Sequence, residues 1–168
     1  LLLIGPVWAA SYTYRDKLGR KVTVQTPVKR AVLNQMYDFI PPLNAWDQVA
    51  GLPRWAFEDE ILTSLRPDLK RRYRLMGTGS DINMEALIRL RPDVIVTWTY
   101  KSEQIDFVAR QGIPVIGVYP ESLREFYSVI EMLGALFGRE AETLKLKKRM
   151  NVEFKLIQPR VAGIKHKR

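Results

Sequence analysis

The sequence predicts an α/β fold: a doubly wound, mainly parallel sheet with an N-terminal β-hairpin and a long C-terminal helix. Three observations predict it. Arg30-Ala31-Val32-Leu33, Asp93-Val94-Ile95-Val96 and Ile113-Pro114-Val115-Ile116-Gly117-Val118 are short apolar runs without alternation, as strands covered on both faces are. Segments of helical periodicity separate them, so strand and helix alternate from Arg30 onward. Ahead of them, the strand-like Thr13–Arg15 and Lys21–Gln25 flank Asp16-Lys17-Leu18-Gly19, which supplies turn chemistry.

Pro27 breaks the hairpin pattern, and the first buried strand, Arg30 to Leu33, follows. Asn34 to Tyr37 lie beyond its carboxyl end. A helix is expected over 39–49 from the Pro41-Pro42 start, with Gly51 as its stop. Leu52 to Tyr73 reads as a long connection carrying Trp55 and Phe57.

Gly77 to Tyr100 is the most informative stretch. Ser80 and Asp81 are cap-type residues, and Met84, Leu87 and Ile88 fall at helical spacing. Pro92 lacks an N–H and pushes Arg91 out of the α region, which ends that helix. Trp98, Thr99 and Tyr100 follow where the next strand emerges. In open α/β sheets ligands bind beyond the carboxyl ends of strands, which places two rings at the expected ligand position.

Ser102 to Gln111 is a helix candidate closed by Gly112. Pro120-Glu121-Ser122 opens another, with Ser122 and Glu125 as a capping box. Its apolar face is Leu123, Phe126, Tyr127, Ile130, Leu133 and Phe137, and Gly138 interrupts it. Arg139 to Ile157 reads as a second, more charged helix running to Gln158-Pro159, followed by a short basic tail. A charged helix with no following layer bridges to something else, so the chain reads as one lobe of a two-lobed protein.

The 168 residues suffice for one domain with a sizeable core, and 46% of them are hydrophobic. The formal charge of +9 favours anionic partners. Two basic clusters stand out, Lys145/Lys147/Lys148/Arg149 and Lys165-His166-Lys167-Arg168, but the rest is dispersed, as on a solvated surface. Nucleic-acid binding is not expected. There is no cysteine, which excludes disulfides and thiolate metal sites. The single histidine, His166, sits in the terminal tail, which argues against Ser-His-Asp or Cys-His catalysis and excludes a histidine-rich metal site. Gly77-Thr78-Gly79 lacks the third glycine of a dinucleotide fingerprint and the Gly-Lys-Ser/Thr of a P-loop. Glu58, Asp59 and Glu60 are sequence neighbours on a polar segment, a solvated surface rather than an acid–base pair. The expectation is therefore no catalytic residues, no metal site and no enzyme.

The opening LLLIGPVWAAS is apolar and ends in small residues suited to cleavage after Ala9. It reads as a signal-peptide remnant over 1–10, with an ordinary apolar N-terminal strand as the alternative. No other run approaches the ~20 apolar residues that span a bilayer.

An ordered set of motifs carries a family resemblance over about Asp16 to Met150. It comprises Asp16-x-Leu18-Gly19-Arg20-x-Val22-x-Val24 with Pro27 and Arg30-Ala31-Val32; Asn83-Met84-Glu85-Ala86-Leu87 leading to Leu90-Arg91-Pro92-Asp93-Val94-Ile95-Val96; Gly112-Ile113-Pro114-Val115; and Ile130-Glu131-Met132-Leu133-Gly134 with Gly138-Arg139-Glu140. The chain resembles the N-terminal lobe of periplasmic substrate-binding proteins for iron-siderophore, haem and cobalamin ABC importers. The resemblance implies two α/β lobes joined by one long helix, with ligand in the cleft between them. Here that implies an N-terminal lobe over 11–138, an interlobe helix over 139–158 and a basic tail over 159–168, the second lobe being absent from the sequence.

Carried over by place, the ligand-binding candidates are Met36, Tyr37, Trp55, Trp98 and Tyr100. Large flat rings suit a macrocycle or a catecholate or hydroxamate chelate by stacking and apolar burial. For each the plainer alternative is lobe packing. Some hydroxamate-binding members carry an arginine near the place of Gly79. Arg54, Arg74 or Lys101 would have to supply that charge here. Glu85 takes the family's permease-docking role, and it also suits the first turn of a helix through the macrodipole. The expected function is that of a monomeric periplasmic binding protein. It would capture a ferric siderophore, haem or cobalamin for an inner-membrane ABC permease. The alternatives are an intracellular doubly wound enzyme domain and a basic nucleic-acid-associated module.

Overall fold

A computed structural model describes residues 10–162. Residues 1–9 of the expected signal remnant and 163–168 of the expected basic tail, with His166, lie outside the described residues, whereas Ala10 begins the first strand and 159–161 belong to the last helix. The hairpin is β1 (Ala10–Arg15) with β2 (Lys21–Thr26), antiparallel. The main sheet has five strands: β3 (Ala31–Leu33), β4 (Val49–Leu52), β5 (Arg74–Leu75), β6 (Val94–Trp98) and β7 (Val115–Val118). All its pairings are parallel, in the order β5-β4-β3-β6-β7. The helices are α1 (Glu60–Leu65), α2 (Leu69–Arg72), α3 (Met84–Leu90), α4 (Ser102–Arg110), α5 (Leu123–Phe137) and α6 (Glu140–Val161).

Side chains on a strand alternate between faces, and the two cores follow that alternation. Ala31, Leu33, Val94, Val96, Ile116 and Val118 pack with Val129, Met132, Leu133 and Leu136 of α5. Val32, Ile95 and Val115 pack instead with Leu87 of α3 and with Ile105 and Val108 of α4. Both faces of the sheet are thus covered, which is why its strands read as unbroken apolar runs. Each fully enclosed aliphatic side chain contributes roughly 1.5–3 kcal/mol.

The hairpin is fastened to β7 through its turn. The Asp16 carboxylate is buried and accepts from the backbone N–H of Leu18 (3.1 Å), Arg20 (2.9 Å) and Gly117 (3.2 Å), and from the Arg20 guanidinium. Lys17 N–H donates to the Gly117 carbonyl (3.0 Å). Gly117 also lets Thr99, just past β6, approach β7 closely, since a Cβ there would fall 2.9 Å from Thr99 Cγ2.

Several elements differ from the sequence reading. The helix expected over 39–49 is two 3₁₀ turns, Tyr37–Phe39 and Trp46–Gln48, and the chain then enters β4. Consecutive prolines remove two N–H donors, and Asn44 adopts φ 50, so no α-helical ladder propagates. Gly51 lies in β4 rather than ending a helix; a Cβ there would fall 2.6 Å from Met76 Cγ. The connection over 52–73 holds a 3₁₀ turn (Arg54–Phe57), α1 and α2. Asn83, not Ser80 or Asp81, caps α3, accepting from Ala86 N–H at 2.9 Å. Leu123 and Ile88, expected on apolar faces, are exposed.

Ser122 caps α5 as expected, accepting from Glu125 N–H (3.2 Å), while the Glu125 carboxylate accepts from Glu121 N–H (2.9 Å). Gly138 ends α5 at φ +61. α6 continues through Pro159 to Val161, past the stop read from that proline. A proline in the last turn forfeits only one ladder bond, and Ala162 N–H still reaches the Gln158 carbonyl (3.1 Å).

Candidate functional site

From β3 the chain crosses first toward β4 and β5 on one side, and later returns to build β6 and β7 on the other. The carboxyl ends of β3 and β6 therefore form a topological switch point, where adjacent connections diverge and leave a crevice. Asn34, Gln35, Thr97 and Trp98 occupy it. Asn34 N–H and Gln35 N–H both donate to the Val96 carbonyl, at 3.0 and 3.2 Å.

Three rings gather at the ends of β6 and β7. Trp98 lies 5.9 Å from Tyr100 and 5.6 Å from Tyr119, and Tyr100 lies 5.3 Å from Tyr119, in tilted or edge-to-face arrangements. Trp98 is half-buried and packs against the larger core, whereas Tyr100 is 66% exposed. The hydrogen bond to Tyr119, and then desolvation, push the Tyr100 phenol above its ordinary value.

The loop between β5 and α3 forms the adjoining wall. Gly77 pairs with Ile82 across it, Thr78 N–H donates to the Asp81 carbonyl (3.0 Å), and Arg54 N–H donates to the Gly77 carbonyl (2.8 Å). Trp55, 41% exposed, lies against Gly79. Beneath the loop, Asn34 Nδ2 donates to the Gly79 carbonyl (2.7 Å) and to Thr97 Oγ1 (3.0 Å). Asn34 Oδ1 and Gln35 Nε2 are buried with no hydrogen-bond partner among the described residues. A small cavity runs between Gly79, Ile82, Thr97, Trp98 and Tyr100.

Of the residues expected from sequence, the structure brings Trp98 and Tyr100 together and sets Trp55 over the adjoining loop. Tyr37 is half-buried in the 3₁₀ turn after β3; desolvation, then the charges of Asp38 and Asp59, raise its phenol pKa. Met36 is buried in the larger core at φ 63. The cations expected to supply charge are occupied or distant. Lys101 pairs with Asp81 and holds that carboxyl below its ordinary value. Arg54 pairs with Glu58 at 3.4 Å. Arg74 lies at the amino end of β5, beside a cavity of about 440 Å³ bounded by Arg30 and Arg89. Among the described residues no three His, Cys, Asp or Glu side chains gather to hold a metal ion, and no helix is long and apolar enough to cross a membrane. Glu85 is exposed on the first turn of α3 and pairs with Arg89.

Sequence reasoning missed Tyr119 and Asn34. Tyr119 follows β7 just as Trp98 ends β6, so the same rule would have found it. Asn34 carries no signal of its own.

The model of the periplasmic binding protein family matches residues 48–168. The chain belongs to that family. The molybdate-binding protein MolA of Haemophilus influenzae is 32% identical over 108 residues, covering 61% of this chain and 30% of that protein. The structure of MolA bound to molybdate superposes with a TM-score of 0.79 at 24% identity, covering 91% of this chain and 54% of that one. Helicobacter pylori CeuE in a Ni-His complex gives 0.81 at 23% identity, covering 94% and 52%. The siderophore-binding protein BauB, bound to two acinetobactin molecules and ferric iron, gives 0.76 at 19% identity, covering 94% and 57%. These likenesses show the fold. The chain spans about half the length of these solved relatives.

Proposed function

We propose that the chain supplies one wall of the ligand cleft of a periplasmic binding protein that serves an ABC importer, and that the ligand is a ferric chelate presenting flat aromatic groups. The observation that carries this reading is the ring cluster Trp98, Tyr100 and Tyr119 at the switch point of the sheet, with Trp55 across the loop. Rings with one face against the lobe and one toward solvent bind by stacking and apolar burial. On this reading Tyr37 and Met36, which follow β3 at the same end of the sheet, add to this surface. The nearby cations are already paired, which favours a delocalised ligand over a compact anion that needs free positive charge. Haem and cobalamin meet the same requirement for a large flat surface. On this reading the protein carries out no catalysis, acts in the periplasm, and docks on its permease through the face that carries Glu85.

One observation favours a second reading. The 32% identity with MolA points to an oxyanion such as molybdate. A tetrahedral oxyanion is held by converging N–H donors rather than by rings.

Titrating the protein with a ferric tricatecholate, a ferric trihydroxamate, haemin, cobalamin and sodium molybdate, following tryptophan fluorescence, separates the readings. The chelate reading expects saturable quenching by an aromatic chelate that Trp98→Ala weakens at least tenfold. Saturable binding of molybdate alone, indifferent to Trp98→Ala, would establish the oxyanion reading instead.

A further inference from the structure

The Trp55 ring lies against the backbone of Gly79. Gly79 adopts φ +111, and a Cβ added there would fall 2.6 Å from Cε3 and 2.7 Å from Cζ3 of the Trp55 ring. A glycine is therefore required twice over, by its left-handed backbone and by the ring laid on it. The carbonyl of the same glycine is held from below by Asn34 Nδ2 at 2.7 Å, and the second amide hydrogen of Asn34 goes to Thr97 Oγ1 at 3.0 Å. Asn34 is fully buried at the carboxyl end of β3. One side chain thus ties together the ends of two central strands and the loop beneath an exposed tryptophan.

Asn34 supplies the donor that the buried Gly79 carbonyl needs, so an apolar residue in its place would leave that acceptor orphaned at roughly 1–3 kcal/mol. Its own Oδ1 has no hydrogen-bond partner among the described residues.

From these contacts we infer that Asn34 and Gly79 are positioning residues for the ligand, acting through Trp55. Asn34 fixes the height and orientation of the Gly79 peptide, and the bare Cα of Gly79 forms a shelf for one face of the indole. The other face is left toward the cleft, where it stacks on a planar group of the ligand. The ligand class rests on the reading given under Proposed function; the shelf itself does not.

The test uses 5-fluorotryptophan-labelled protein and ¹⁹F NMR, with the Trp55 resonance assigned by its loss in Trp55→Phe. Gly79→Ala should displace or broaden that resonance, because a Cβ cannot share the space with the ring. Asn34→Leu should do the same by releasing the Gly79 carbonyl. Ile130→Val, a conservative change in the buried face of α5 that leaves the Asn34–Gly79 bond in place, should not. The ferric tricatecholate should bind at least tenfold more weakly to the first two variants and within twofold of wild type to the third. An unchanged Trp55 resonance in Gly79→Ala overturns the shelf, and that variant decides the matter even if Asn34→Leu does not fold. Loss of affinity equal in all three variants would mean general disruption and overturns it too. If wild type binds no chelate but the Trp55 resonance shifts as described, the shelf stands and the chelate reading falls.

Discussion

Trp98 is the residue on which the site turns. It is half-buried, so its ring both packs on the core and faces the other rings. A fully enclosed ring truncated to alanine costs about 3–5 kcal/mol. Trp98→Ala should cost clearly less in a urea titration while removing most of the chelate affinity. A full core-type loss of stability with unaltered affinity would reassign Trp98 to packing. Glu85 is the opposite case: it is exposed, and its contact is the i,i+4 pair with Arg89. Exposed substitutions of this kind alter stability by less than about 0.5 kcal/mol. On the docking proposal, Glu85→Ala leaves chelate affinity unaltered and lowers uptake by the native cell. Parallel loss of both would place Glu85 in the fold or the cleft instead.

At the scale of elements, α5 and α6 meet at Gly134. A Cβ there would fall 2.1 Å from Thr143 Oγ1 and 3.0 Å from its Cβ. Gly134→Ala should therefore lower stability by about 1–3 kcal/mol, and Thr143→Ala in the same protein should recover part of the loss. A urea midpoint unaltered by Gly134→Ala would show that the helices separate freely. The hairpin is tied to the start of α5 by Lys17, which bridges Glu121 (2.7 Å) and Glu125 (2.9 Å). Bonds to Glu121 and then Glu125 raise the Lys17 pKa, while the Glu121 N–H and then Lys17 lower that of Glu125. The lowered carboxyl contributes stability above its unfolded value of about 4.3, lost as pH falls through the folded value. The raised ammonium contributes below about 10.4, lost as pH rises through its folded value. The stability deficit of Lys17→Met should thus be flat between about pH 5 and pH 10 and shrink at both extremes. A deficit independent of pH over the whole range would assign it to lost side-chain packing.

Legibility in the sequence also follows scale. β3, β6, β7, α4 and α5 were readable because both-face burial writes continuous apolar runs, and Ser122 and Gly112 mark helix ends. β4 and β5 were not, since four residues of Val-Ala-Gly-Leu and two exposed edge residues carry no period. The helix expected over 39–49 does not form, because Pro41-Pro42, which suits a helix start, also removes two consecutive N–H donors. At the site, Trp98 and Tyr100 were legible as rings ending a buried run. Asn34 was not, because a buried amide after a strand looks like any polar loop residue until its partners, 45 and 63 positions away, are seen.

For the whole molecule, the account places the ligand at the carboxyl end of the sheet. The competing location is the larger arginine-lined cavity at the amino end, between β5 and α3. Hydrogen–deuterium exchange with and without saturating ferric tricatecholate distinguishes them in one experiment. The account predicts slowed exchange at 34–37, 77–82 and 97–101, with 74–75 and 86–90 unaffected. Protection confined to the segments around Arg30, Arg74 and Arg89, with the switch-point segments unaltered, would contradict it.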